Sequence, residues 1–180
     1  LPPSPGGAGT NNITITSIDV ARFASRNIIV VGTIDSDSSQ YGGVYTLDEG
    51  EALPSWQNTN IGSYDVCAVA FSPSFASDQQ LVAVATNEQD TLISARIGDG
   101  DWGQVSGNAT IAGLAPREAA IAFPGDYNAT TVNYSLFVAI DTGTGNGDVY
   151  KITGKSAPDS SNATDLNIGA TDNLSNVDVT

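Results

Sequence analysis

The chain has 180 residues and carries 6 Lys and Arg against 20 Asp and Glu, a formal charge of −14. Such a balance repels phosphate backbones and anionic lipid, which excludes a nucleic-acid binder and a membrane-surface binder. With no His and a single Cys, the sequence also excludes an intrachain disulfide and any Ser-His-Asp or Cys-His arrangement, and it lacks the commonest catalytic base.

Residues 1–12 open with Leu1-Pro2-Pro3-Ser4-Pro5-Gly6-Gly7 and read as a linker inside a longer chain. Three units follow, at 13–63, 64–115 and 116–171. Each resolves into strand-like runs rich in Val, Ile, Tyr and Phe and bounded by Gly, Pro, Asn and Asp. The first unit predicts strands at Ile13–Val20, Ile28–Thr33 and Gly43–Leu47, with a weak fourth near Trp56. The second predicts Asp65–Phe71, Leu81–Thr86 and Thr91–Arg96, with a weak fourth at Trp102–Val105. In the apolar run Val66–Phe71, Cys67 is expected to be a buried, inert thiol. The third unit predicts Glu118–Phe123, Leu136–Ile140 and Asp148–Ile152, with a weak fourth at Asp165–Ile168. Residues 172–180, ending Asn176-Val177-Asp178-Val179-Thr180, read as the start of a further unit. No sustained 3.6-residue period occurs, so no long helix is expected, and no apolar run is long enough to insert in a membrane.

The units echo one another. Phe23-Ala24-Ser25-Arg26-Asn27 leads into Ile28–Thr33, and Phe75-Ala76-Ser77-Asp78-Gln79-Gln80 leads into Leu81–Thr86. The offset is 52 from Phe23 to Phe75 and 53 from Thr33 to Thr86. The third copy is looser: Phe123-Pro124 matches the Phe71 region, and the loop Asp126–Asn133 carries extra residues. A lone four-stranded sheet of this size cannot bury enough apolar surface to be stable, whereas stacked sheets can. The expected fold is therefore all-β, with three four-stranded antiparallel sheets arranged as β-propeller blades of a partial propeller.

The turns after the third strands carry a resemblance. Thr46-Leu47-Asp48-Glu49-Gly50 leads to Trp56, and Gly98-Asp99-Gly100-Asp101-Trp102 keeps Asp, Gly and Trp without the opening Ser or Thr. This resembles the Asp-box, or bacterial neuraminidase repeat, of sialidase- and sortilin-like propellers. The resemblance spans roughly residues 13–170 and is lost in the third unit, where Thr153-Gly154 has no Trp. It implies that Thr46, Asp48, Gly50, Trp56, Asp99, Gly100 and Trp102 hold turns together and do no catalysis. A sialidase of the family would need an arginine triad, and the only arginines, Arg22, Arg26, Arg96 and Arg117, do not fall in the family's motif.

Asp141-Thr142-Gly143-Thr144-Gly145-Asn146-Gly147-Asp148 alternates oxygen donors with Gly, in the manner of half an EF-hand loop. Asp141, Asn146 and Asp148 are its candidate Ca²⁺ ligands, set against the plainer reading of a hairpin turn. Sequons stand at Asn12, Asn108, Asn128, Asn133, Asn162 and Asn173 and suit an extracellular glycoprotein. Together these features predict a non-enzymatic, secreted or cell-surface module with a surface-layer, adhesion or scaffold role. Its partners would be proteins, glycans or further copies of itself, without a cofactor other than Ca²⁺. The alternatives are part of a glycoside hydrolase, for which two carboxylates across a cleft suffice, and a sorting-receptor-type propeller.

Overall fold

A computed structural model describes residues 4–10, 12–103, 108–129, 135–154 and 163–168. Within them the chain makes three four-stranded antiparallel sheets, each a meander of consecutive strands. The first holds β1 (Ile13–Phe23), β2 (Arg26–Asp35), β3 (Gly43–Asp48) and β4 (Gln57–Asn58). The second holds β5 (Asp65–Phe71), β6 (Gln80–Thr86), β7 (Thr91–Ile97) and β8 (Asn108–Ile111). The third holds β9 (Glu118–Ala122), β10 (Ser135–Asp141), β11 (Asp148–Thr153) and β12 (Ala163–Asp165). Among the described residues helix is confined to a turn at Pro5–Gly7 and one four-residue turn, α1 (Phe75–Asp78). The all-β expectation with three such sheets is met. Residues 172–180 and the sequons at Asn133, Asn162 and Asn173 lie outside the described residues.

Two apolar cores join the sheets in chain order. Val30 and Val44 of the first sheet pack with Val66, Val69, Phe71, Leu81 and Ala83 of the second. Ala68, Val82, Val84 and Ile93 of the second pack with Leu136, Val138 and Ile140 of the third. The middle sheet is thus covered on both faces, which is why every residue of β6 is buried and its sequence shows no polar alternation.

The pairing corrects the recurrence read from the sequence. β1 and β5 each carry a bulge, at Thr16 and Cys67, so the pair Ile15·Thr33 corresponds to Val66·Ala85. The offset is then 51 between first strands and 52 between second strands. Val30 takes the place of Val82, and Thr33 that of Ala85 rather than Thr86. The shared letters Phe-Ala-Ser misled the alignment because the two copies fold differently. In the first unit Phe23 pairs with Arg26 across a two-residue turn in which Ala24 and Ser25 have φ of 48° and 71°. Positive φ at both positions is what a tight type I′ hairpin needs. In the second unit Pro73 has no amide to continue the strand. The chain instead coils through α1, fixed by the Asp78 carboxylate, which accepts from the Ser72 hydroxyl at 2.6 Å and from the Gln80 amide at 2.9 Å.

The fourth strands also differ from expectation. β4 begins just after Trp56, and β12 precedes most of Asp165–Ile168. In the second sheet the described part of the fourth strand, β8, is Asn108–Ile111, with residues 104–107, which include the end of the expected run, outside the described residues. Trp102 leaves the strand path because its indole is drawn to the first sheet, where Nε1 donates to the Thr59 carbonyl at 3.1 Å. Gly103, at φ 75°, turns the chain there. Part of the Pro/Gly-rich leader also packs on the first sheet: Pro5 is buried and Gly6 lies against the Tyr45 ring.

Candidate functional site: a cleft between the first two sheets

The β1–β2 hairpin and α1 diverge in shape where the first and second sheets meet, and a cleft of about 340 Å³ opens between them. Its floor is aromatic. The Phe71 and Phe75 rings lie 4.3 Å apart and Phe75 meets Phe23 edge-on at 6.2 Å. Its rim is polar and carries Arg26, Thr46, Asp48 and Glu51 from the first sheet's side and Gln79, Arg96 and Asp99 from the second's.

Four of the rim charges, Arg26, Asp48, Arg96 and Asp99, are engaged with one another and with the backbone. Arg26 Nη1 lies 3.0 Å from Asp48 Oδ2, while Asp48 Oδ1 accepts from the Gly50 amide at 2.8 Å. Gly50 is required here, since a Cβ would stand 2.7 Å from Arg26 Cδ. Arg96 donates from Nε to the Gly98 carbonyl at 3.0 Å and from Nη1 to the Thr59 carbonyl at 3.3 Å. Its Nη2 is 3.7 Å from Asp99, and its guanidinium lies 6.0 Å from the Trp102 ring. Burial pushes the Arg96 pKa down, and the nearby Asp99 and Asp101 oppose that shift.

The structure therefore separates the two Asp-box-like turns. In the first, Asp48 fastens its own turn through Gly50, and Thr46 sits on β3 opposite Gln57 with Trp56 half-buried just beyond. In the second, Asp99 is exposed and reaches Arg96, while the Gly100 amide donates to the Ile97 carbonyl instead. Trp102 and Arg96 converge on Thr59, so this turn grips the neighbouring sheet.

Of the three candidate Ca²⁺ ligands, Asp141 and Asp148 are buried and Asn146 is exposed. Asp141 Oδ1 accepts from the Gly143 amide at 2.7 Å; Asp148 Oδ1 accepts from the amides of Val149 at 2.6 Å and Ile168 at 2.9 Å. Among the described residues no three His, Cys, Asp or Glu side chains gather closely enough to hold a metal ion. Of the described sequons, Asn12 and Asn128 are exposed. Asn108 is half-buried in β8, where its Oδ1 accepts from the Ser94 hydroxyl at 2.6 Å and its side chain lies close under Gly103.

Sequence reasoning missed the polar side chains that stitch sheet to sheet. Asp65, buried at the head of β5, accepts through Oδ1 from the amides of Asp35 and Gly42, both at 2.8 Å, and so caps the β2–β3 hairpin of the preceding sheet. Ser17 accepts from the Val69 amide at 3.1 Å and Asp19 from the Phe71 amide at 2.8 Å. The two bulge residues both point forward. Thr16 donates to the Val66 carbonyl, and Cys67 Sγ to the Pro116 carbonyl at 3.5 Å. Burial, with Asp65 adding to it, pushes the Cys67 thiol up to about 12. The only advance signal was Asp65 heading the otherwise apolar strand β5; the many polar residues of β1 single out none of Thr16, Ser17 and Asp19.

No family model matches the chain, and no curated protein or solved structure shows significant similarity to it.

Proposed function

We propose that this chain is a non-enzymatic, secreted or cell-surface module whose three sheets are blades of a β-propeller, serving a scaffold, adhesion or surface-layer role. The observation that carries the reading is the use made of the polar side chains. Arg26, Asp48, Arg96 and Asp99 of the cleft are tied to each other, to turn amides and to the neighbouring sheet, an arrangement that spends most of the cleft's charge on rigidity and on joining sheets rather than on presenting an acid–base pair. The radial arrangement is supported by the first strands, which lie side by side from sheet to sheet and are linked through Ser17, Asp19 and the bulge residues. Exposed sequons at Asn12 and Asn128 and the charge of −14 support an extracellular setting.

The test has two arms. Fractionation of the native source with an antibody against the chain is expected to find it outside the cytoplasm. The purified protein is expected to leave a panel of fluorogenic glycosides unhydrolysed while binding to envelope preparations. Turnover abolished by Asp48→Asn or Glu51→Gln, both on the cleft rim, would replace this reading with the glycoside-hydrolase one.

A further inference from the structure

The hairpin that joins β10 to β11 carries the sole Asn-Gly pair of the sequence, Asn146-Gly147. Asn146 is exposed. Its side chain makes no hydrogen bond among the described residues, and its backbone amide reaches only the Thr142 hydroxyl, at 3.4 Å. The Gly147 amide also has no partner among the described residues. Its counterpart in the first sheet, Gly42, lies against the Thr33 carbonyl as Gly147 lies against that of Ile140, yet the Gly42 amide is held by Asp65.

A backbone nitrogen without a partner, next to an exposed and unheld side-chain amide, is a nucleophile beside its electrophile. No side chain at Gly147 crowds the approach. Gly143 and Gly145, at φ of 68° and 86°, build the turn from residues with the widest backbone freedom. Other sites lack one condition or another. Asn27, Asn58 and Asn60 are exposed as well, but Ile28, Thr59 and Ile61 follow them, and a stiff β-branched side chain screens the nitrogen. Asp99-Gly100 has the same spacing, but there the Gly100 amide donates to the Ile97 carbonyl at 3.0 Å.

We propose that Asn146 is a self-modifying site, converted to aspartate and isoaspartate through attack by the Gly147 nitrogen. That nitrogen gives up its proton to hydroxide and bonds to Asn146 Cγ. The bond from Cγ to Nδ2 breaks, and Nδ2 takes up a proton and leaves as ammonia. Water then opens the cyclic imide that remains. Cleavage between Cγ and the Gly147 nitrogen gives aspartate in the ordinary chain. Cleavage at the main-chain carbonyl carbon of Asn146 gives isoaspartate, in which the chain runs through Cβ and Cγ. Either product gains one carboxylate, and nothing is oxidised or reduced.

The change bears on the third sheet. Gly147 is buried, and the Ile140 carbonyl leaves no room there even for a Cβ. Isoaspartate adds a methylene to the backbone immediately before it. Next in the chain is Asp148, whose Oδ1 accepts from the Val149 and Ile168 amides and so ties the segment after β12 to β11. The new carboxylate also joins a turn bounded by two buried ones, Asp141 and Asp148. Conversion therefore loosens this end of the sheet as the protein ages. None of this depends on the propeller reading.

Incubation of the intact folded chain at mildly alkaline pH, followed by peptide mapping, tests the proposal. The peptide carrying Asn146 is expected to gain the mass difference between a hydroxyl and an amino group and to split into two products of equal mass. Its rate should rise with hydroxide concentration and exceed that at Asn27, Asn58 or Asn60 by about tenfold or more, a barrier difference of about 1.4 kcal/mol or more. It should also stay within about tenfold of the rate in the urea-unfolded chain, as expected for a segment that needs no global opening. Asn146→Gln, at an exposed position, should leave the circular dichroism unchanged and nearly abolish the reaction, because its longer side chain closes the ring far more slowly. The isoaspartyl fraction, separated from unconverted chain, should unfold at a lower urea midpoint, while Asn146→Gln aged in parallel keeps its midpoint. An unconverted Asn146, or conversion slower than in the unfolded chain by more than about tenfold, would overturn the inference, since the fold would then shield the site. So would an isoaspartyl fraction with an unchanged midpoint.

Discussion

Asp65→Ala should loosen the junction between the first two sheets more than any other single polar change. One buried oxygen, Asp65 Oδ1, accepts from both the Asp35 and the Gly42 amides at 2.8 Å. Hydrogen bonds to a charged group are worth about 1.5–3 kcal/mol each. Losing two gives about 3–6 kcal/mol, and water reaching the half-buried Gly42 amide brings the expected loss toward about 3 kcal/mol. Against a typical domain stability of about 5–15 kcal/mol that is a large fraction. Because both amides share one oxygen, Asp65→Asn can keep both bonds in neutral form and should cost only about 1 kcal/mol. Urea unfolding, read as a shift in midpoint at constant slope, measures both variants. A loss under about 1 kcal/mol for Asp65→Ala, or an equal loss for Asp65→Asn, would refute the role assigned to this carboxylate.

Replacing Ala24-Ser25 with Asn-Gly should stabilise the protein by about 1 kcal/mol in the same assay, since both positions have positive φ and Asn-Gly is the favoured type I′ pair. Cys67 should resist aromatic disulfide reagents at neutral pH until the protein is unfolded. Its thiol titrates near 9.0 in the open chain and at about 12 when folded. The folded form therefore holds the proton longer, and stability should fall as pH rises from about 9 to about 12, by about 1.4 kcal/mol per unit from this group. Cys67→Ala should flatten that alkaline slope, leaving the parts due to Tyr45 and Tyr150, whose hydroxyls are also shifted up by burial. Expression through a glycosylating secretory route, followed by site-resolved mass spectrometry, should find sugar on Asn12 and Asn128 and little on Asn108, whose side chain is held by Ser94.

The first three strands of each unit were legible because β-branched runs end at Gly, Asn and Pro, and those residues fix where a strand must stop. Register was not. Phe-Ala-Ser occurs twice, but Pro73 and Asp78 coil one copy while the other turns tightly, so matching letters placed the second strand one residue out. The fourth strands were hardest, because β4 has only two residues and β8 four. Their positions depend on contacts such as Trp102 with Thr59, which come from a different unit. The cleft was invisible for a similar reason: Arg26 and Arg96 belong to separate sheets and share a wall only after stacking.

Thr16 reaches the Val66 carbonyl of the second sheet, and Cys67 reaches the Pro116 carbonyl just ahead of the third. The series consequently has a direction, like a row of hooks and eyes. Removing the third module would leave the Thr16 fastening between the first two sheets intact. Inserting a single residue ahead of a bulge would turn that hook away from its eye and weaken one junction alone.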